Sequence, residues 1–192
     1  MNWLAHLRLA PPVPLLRLGN LCGDFVRGVD VEALHPELQR GITMHRAIDR
    51  FVDAHPVVRA ARQRFAPPFR RFAGVLVDVY CDHFLARDWE RHGGGGSLRA
   101  FLAIVHDELR THHERLPAAL QRVAPRFTAD GWLEGYGSIE GIERVLALMA
   151  RRLARPTPLA VAAAPLREHY DAFAADFAAL WPELVAFAAA PS

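Results

Sequence analysis

The chain contains no lysine, so all 23 of its basic side chains are arginine. We read this mainly as coding bias, with a preference for anion-binding forks as the lesser alternative. Set against 21 acidic residues, the net charge is only +2. That is too small to argue for nucleic acid as the main partner. Cysteine is nearly absent: Cys22 and Cys81 stand alone on apolar segments, without CxxC spacing. This excludes a disulfide framework or zinc knuckle and fits a reducing cytosol. No apolar run approaches the ~20 residues that span a bilayer. The C-terminal HYDAFAADFAALWPELVAFAAA comes nearest, but Asp171, Asp176, Pro182 and Glu183 interrupt it. MNWLAHLRLAPP carries His6 and Arg8 where a signal peptide would be apolar, and has no small-residue cleavage site. The expectation is a cytoplasmic protein with neither a membrane nor a nucleic-acid partner. Nothing in the sequence sets its oligomeric state.

Sustained period-two alternation is also missing. Apolar spacings of three and four dominate, which predicts an all-α, single-domain helical bundle over residues 1–192. The 52% apolar and 23% charged composition is that of a globular chain long enough to bury a core. Helices are expected at Asn2 to Ala10, Pro14 to Arg27, Pro36 to Asp53, Pro56 to Phe65, Phe69 to His92, Leu98 to Leu109, Thr111 to Phe127, Ile139 to Arg155 and Pro165 to Ala190. Pro36 and Pro56 suit first-turn positions, and His55 before Pro56 is pushed out of the helical region. Breaks fall at Thr128 to Ser138 and Arg155 to Pro158. The Gly93 to Gly96 run is followed by Ser97-Leu98-Arg99, not the Lys-Ser/Thr of a phosphate loop, so it reads as a solvated hinge.

What is present is acid where the chain should be purely apolar. Leu38, Ile42, Ile48 and Val52 form one stripe, and His45 and Asp49 project from its middle. The stretch FAGVLVDVYCDHFLA is apolar nearly all round yet carries Asp78, Asp82 and His83. An unpaired buried carboxylate costs several kcal/mol, and too few basic residues share these faces, so something cationic should sit between the two helices. His45/Asp49 and Asp78/Asp82 both have the four-residue spacing that converges on one ion, and an oxygen- and nitrogen-rich cage suits Mn, Fe, Mg or Zn. The plain alternative makes His45 a satisfied core histidine and Asp49 a partner of Arg46 or Arg50; two such pairs on two apolar faces favour the ion.

Asn20 and Asp24 align with Arg17 on a face that by itself reads as solvated. Gly19 and Gly23 argue otherwise. Each would cost about 1 kcal/mol against Ala in an exposed helix, and they look like sites of close approach by a backbone or ligand. His6 points at the same place or into the core. Arg59, Arg62, Arg64, Arg70 and Arg71 form a run without acids, able to steer an acidic partner or to form a solvated face.

These residues carry a resemblance. MNWLAHLRLA, LGNLCGDFVRG, GITMHRAIDRFVDAHPVV, RRFAGVLVDVYCDHFLARDW and GIERVLALMARRL, in order over nearly the whole chain, resemble the acyl carrier protein phosphodiesterase family. The first ninety or so residues are the most specific. The resemblance implies a divergent, helical relative of the His-Asp metal-dependent phosphohydrolases. Such an enzyme removes the 4'-phosphopantetheine arm from the serine of holo acyl carrier protein, usually with manganese or magnesium; Mn2+ is the first choice here, with Mg2+ or Fe2+ as alternatives. It implies a centre of Asp24, His45, Asp49, Asp78 and Asp82 around the metal, with Asp24, His83 and His6 in catalysis. Arg46, one residue from the ligand line, is placed either to face the phosphate or to form a surface salt bridge with an acidic neighbour, and Arg59, Arg62, Arg70 and Arg71 would face the acidic carrier protein. One departure is plain: the superfamily doublet reads His then Asp, whereas here it is Asp82-His83, so the usual four ligands do not map one to one. A nucleotide or other small-phosphodiester hydrolase, and a non-catalytic carrier-binding module, are the competing readings.

Overall fold

The computed structural model describes residues 1–129, 132–151 and 153–190, all helix, turn and loop with no strand among them. Asp130 and Gly131, inside the predicted break at Thr128 to Ser138, lie outside the described residues, as does Arg152. The α-helices are α1 (Trp3–Leu9), α2 (Pro14–Cys22), α3 (Pro36–Ala54), α4 (Pro56–Gln63), α5 (Ala73–Arg87), α6 (Trp89–His92), α7 (Leu98–Thr111), α8 (Ala118–Ala129), α9 (Ile139–Arg151), α10 (Ala164–Glu168) and α11 (Tyr170–Ala189).

Proline sets the starts as expected: Pro14, Pro36 and Pro56 open their helices, and extended backbone at His55 separates α3 from α4. The predicted helix Thr111 to Phe127 begins late. Pro117 forces Leu116 to φ −82°, ψ 154°, so a 3-10 turn at His113–Arg115 comes between α7 and α8. The long helices predicted at Phe69 to His92 and Pro165 to Ala190 each divide, at Asp88 (φ −104°, ψ 32°) and His169 (φ −117°, ψ 29°). The glycine run is a loop in which Gly94, Gly95 and Gly96 take φ of 80°, 114° and 70°, conformations that L side chains avoid.

Helix α5 is the centre of the core. It is buried from Leu76 to Ala86 except at Asp78, and is flanked by α1, α4, α9 and α11. Helix α11 is long and apolar enough by length and composition to cross a membrane. In the fold it sets Phe173, Phe177, Leu180, Trp181 and Leu184 into the core, while Asp176 pairs with Arg64 and Glu183 lies 3.3 Å from His55. Both cysteines are free and buried.

Helices α2 and α3 cross at close range. A Cβ on Gly19 would lie 2.4 Å from the Leu38 carbonyl oxygen, and one on Gly41 would lie 2.2 Å from that of Leu16. The expectation of a backbone pressed against Gly19 is therefore met, and Gly41 is its counterpart. A paired test follows. Gly41→Ala should destabilise by about 1–3 kcal/mol through overpacking. Gly74→Ala, where the new Cβ would meet only Arg62 at 3.6 Å, should be neutral or stabilising by up to about 1 kcal/mol. Urea unfolding of the two variants measures both, and equal effects would mean that the α2–α3 crossing yields.

Candidate active site

Helix α1 begins without a cap from its own sequence, because the Asn2 amide donates to the Tyr136 hydroxyl at 2.8 Å. The first-turn amides turn instead to α5. Leu4 N–H donates to Asp82 Oδ2 at 2.8 Å and Ala5 N–H to Asp82 Oδ1 at 3.0 Å. A carboxylate there satisfies two orphan donors and meets the positive end of the helix. Burial pushes the Asp82 carboxyl up to about 7, with the two amides pulling it back. Asp82, expected among the metal ligands, is thus an N-cap supplied from another helix, both oxygens engaged by backbone.

Pinning α1 places His6 one turn on, stacked against His45 of α3 with ring centroids 3.9 Å apart. Asn20 of α2 orients both rings. Its Nδ2 donates to the His6 carbonyl (2.9 Å), so its Oδ1 must be the atom facing His6 Nδ1 at 2.9 Å, and that nitrogen must carry the hydrogen. The Asn20 backbone carbonyl, which can only accept, faces His45 Nδ1 at 2.7 Å and sets the same tautomer. Both Nε2 atoms then point to Asp49: His6 Nε2 lies 3.3 Å from Oδ1 and His45 Nε2 3.1 Å from Oδ2. Gly23 makes room, since a Cβ there would fall 2.1 Å from the His45 ring. Sequence reasoning missed the role of Asn20. The glycines at positions 19 and 23 were the signal that its face is buried; Asn20 is wholly buried, and Arg17 is buried against Glu108 at 2.7 Å.

Asp24 stands at the open edge. Its side chain is 45% exposed, its Oδ1 lies 3.6 Å from His45 Nε2, and its Oδ2 accepts from the Trp3 indole N–H at 2.9 Å. It reaches His45, whereas Asp82 points away to the α1 amides. Asp78 faces the Met1 amino nitrogen at 3.5 Å, and the same nitrogen donates to Asp49 at 3.0 Å. The cation expected between the two acidic helices is therefore, in part, this ammonium. Its pKa rises to about 10 because Asp78 and Asp49 outweigh the cost of burial.

The two histidines are electrostatically opposite. Burial pushes His6 down to about 4, with Asp49 opposing and His45 adding to the fall. Burial also acts on His45, but hydrogen bonding and charge from Asp24 and Asp49 carry it up to about 9. The Asp24 and Asp49 carboxyls fall below the ordinary range despite burial, each through the nearby His45 ring. Neutral His6 consequently presents a bare, buried Nε2 lone pair to a carboxylate oxygen and has no hydrogen bond there. Such a contact is repulsive unless a cation lies between. The donor atoms of His6, His45 and Asp49 all lie within 4.8 Å of one another, and nitrogen and oxygen donors of this kind fit a borderline or hard divalent ion.

His83 is not part of this group: Nδ1 faces the Tyr136 carbonyl at 2.8 Å and Nε2 the Tyr170 hydroxyl at 2.9 Å. Arg46 is exposed next to His45 and pairs with no carboxylate among the described residues. The basic run divides. Arg62 pairs with Asp53 at 2.5 Å and Arg64 with Asp176, while Arg59, Arg70 and Arg71 remain exposed. Asp82→Asn should lower stability by about 1–3 kcal/mol, because an NH2 group would then face an amide donor. A urea midpoint equal to the parent's would show that the α1 amides are satisfied otherwise.

The model of the family described as Acyl carrier protein phosphodiesterase matches residues 1–184. A protein of that name from Salmonella dublin is 38% identical over 189 residues, covering 98% of each chain. Those from Yersinia enterocolitica and Serratia proteamaculans are each 36% identical over 185 residues, covering 96% of each chain. No solved structure matches the chain significantly. A match this long, with relatives of nearly equal length, means that the chain belongs to the acyl carrier protein phosphodiesterase family.

Proposed function

We propose that the chain hydrolyses the phosphodiester joining 4'-phosphopantetheine to the serine of holo acyl carrier protein, using a divalent metal held by His6, His45 and Asp49, with Asp24 beside them. The observation that carries the metal is the Asn20 arrangement: one residue turns two imidazoles so that both Nε2 atoms meet a carboxylate. The ligand set differs from the one expected from the resemblance. His6 joins it, while Asp82 serves α1 and Asp78 faces the Met1 amino group. Mn2+ is the first choice and Mg2+ or Fe2+ the alternatives. A helical bundle bringing His and Asp together supports kinship with the His-Asp phosphohydrolases.

The ion, when bound, supplies a water acidic enough to attack at neutral pH and neutralises phosphoryl charge. A water oxygen bonds to phosphorus, the bond from phosphorus to the serine oxygen breaks, and that oxygen takes up a proton. His6 and His83 have their ring hydrogens engaged with Asn20 and with Tyr136 and Tyr170, whereas the ionised Asp24, half exposed at the mouth, is placed to accept the proton that the attacking water gives up and to pass it to the serine oxygen. The exposed Arg46 guanidinium is suited to phosphoryl oxygens. Arg59, Arg70 and Arg71 offer an acidic carrier protein a basic surface that affects mainly association rate and salt dependence. Two buried, unpaired cysteines agree with a cytoplasmic setting.

Incubating holo carrier protein with the protein and Mn2+, then weighing the product, tests the reading. The carrier should lose the mass of one phosphopantetheinyl group, and chelator should abolish the loss; an unchanged carrier refutes it. His45→Ala and Asp49→Asn should lose Mn2+ binding and turnover together, and Asn20→Ala should weaken Mn2+ binding by about 10–100-fold. Asp24→Asn keeps shape and removes charge. It should abolish release while leaving the fold intact. Near-normal turnover by that variant at saturating Mn2+ removes Asp24 from the chemistry.

A further inference from the structure

Trp3 has two faces. Its indole N–H is bonded to Asp24 at 2.9 Å, and its ring forms one wall of a pocket of about 210 Å3 whose other walls are Trp132, Tyr136, Val145, Met149 and Leu153, with Asn2 at the edge. The wall is rigid: Trp3 meets Trp132 edge-on at 5.3 Å and Phe25 at 5.7 Å on its other side. The pocket therefore shares one side chain, Trp3, with the group that would hold the phosphate. It serves no part of the hydrolytic chemistry described above.

We propose that this pocket is the subsite for the prosthetic arm, taking its aliphatic, thiol-bearing end while phosphorus sits beside Asp24. The inference rests on the function proposed above. Two observations select the occupant. The wall is aromatic and aliphatic, matched to methylene, methyl and thiol groups. Among the described residues the Asn2 amide, on the Tyr136 hydroxyl at 2.8 Å, is a polar group of the kind that reads an amide link. Binding energy drawn from an arm remote from phosphorus orients the reacting bond, and a substrate without the arm forgoes it.

Leu153 is 46% exposed, so a charge there enters the pocket without disturbing the core, while Met149 is half-buried and packs against the core. Met149→Glu and Leu153→Glu should each raise KM for holo carrier protein at least tenfold. Cleavage of a carrier protein loaded with an arm truncated after its pantoyl amide should stay within twofold of the parent's, and Mn2+ affinity should be unchanged. The inference is overturned if both substrates are unaffected, which sends the arm elsewhere. It is also overturned if both are weakened equally, which makes the pocket a contact for the body of the carrier or for the fold. Failure of the parent to cleave either substrate would refute the proposed reaction instead. The pocket is then judged by free 4'-phosphopantetheine: saturable quenching of tryptophan fluorescence, lost in Met149→Glu, upholds it, and its absence in the parent refutes it.

Discussion

Asn20 holds the site together. Through its side-chain oxygen, its side-chain nitrogen and its backbone carbonyl it touches His6 twice and His45 once, linking α1, α2 and α3. It can do so only because α2 and α3 cross on Gly19 and Gly41 with no side chain between them. Turning both rings the same way leaves two ring nitrogens and one carboxylate aimed at a shared point. The charged His45 ring satisfies Asp49, whereas the bare His6 nitrogen facing the same carboxylate is costly on its own. The Asn20 contacts hold both rings in this orientation.

The buried acids of the two inner helices are satisfied by different means. Asp82 is neutralised in effect by helix geometry, its oxygens on the first-turn amides of α1. Asp78 and Asp49 share the Met1 ammonium. Asp49 also faces both imidazoles, and the charged His45 ring together with the Met1 ammonium holds it ionised. Carboxylates that look equivalent on a helical wheel thus divide into one that positions α1, one that partners an amine and one that holds the proposed ion.

The same division runs through the basic residues. Arg17, on what reads as a solvated face, is buried with Glu108 as its partner. Arg62 and Arg64 brace α4 against Asp53 and Asp176, which leaves Arg59, Arg70 and Arg71 available to a partner. Charge runs in sequence therefore overstate the basic surface, because ion pairs to distant acids remove members of the run.

The sequence by itself determined the helical class, the proline-marked helix starts, the inward placement of His45 and Asp49, and the family, because periodicity, backbone restriction and matched strings are all local properties. It pointed to Gly19 and Gly23 as close-approach sites for the same reason: glycine in a helix interior is costly unless something needs the space. Only the tertiary structure decided which acids converge. Asp82 and Asp49 differ in nothing that spacing reports; what separates them is that the α1 amides reach Asp82 from 77 and 78 residues away. Likewise His6, an ordinary core histidine on its own helix, enters the site and His83 leaves it. The reason in each case is hydrogen-bond partners supplied across the chain, which no local pattern encodes.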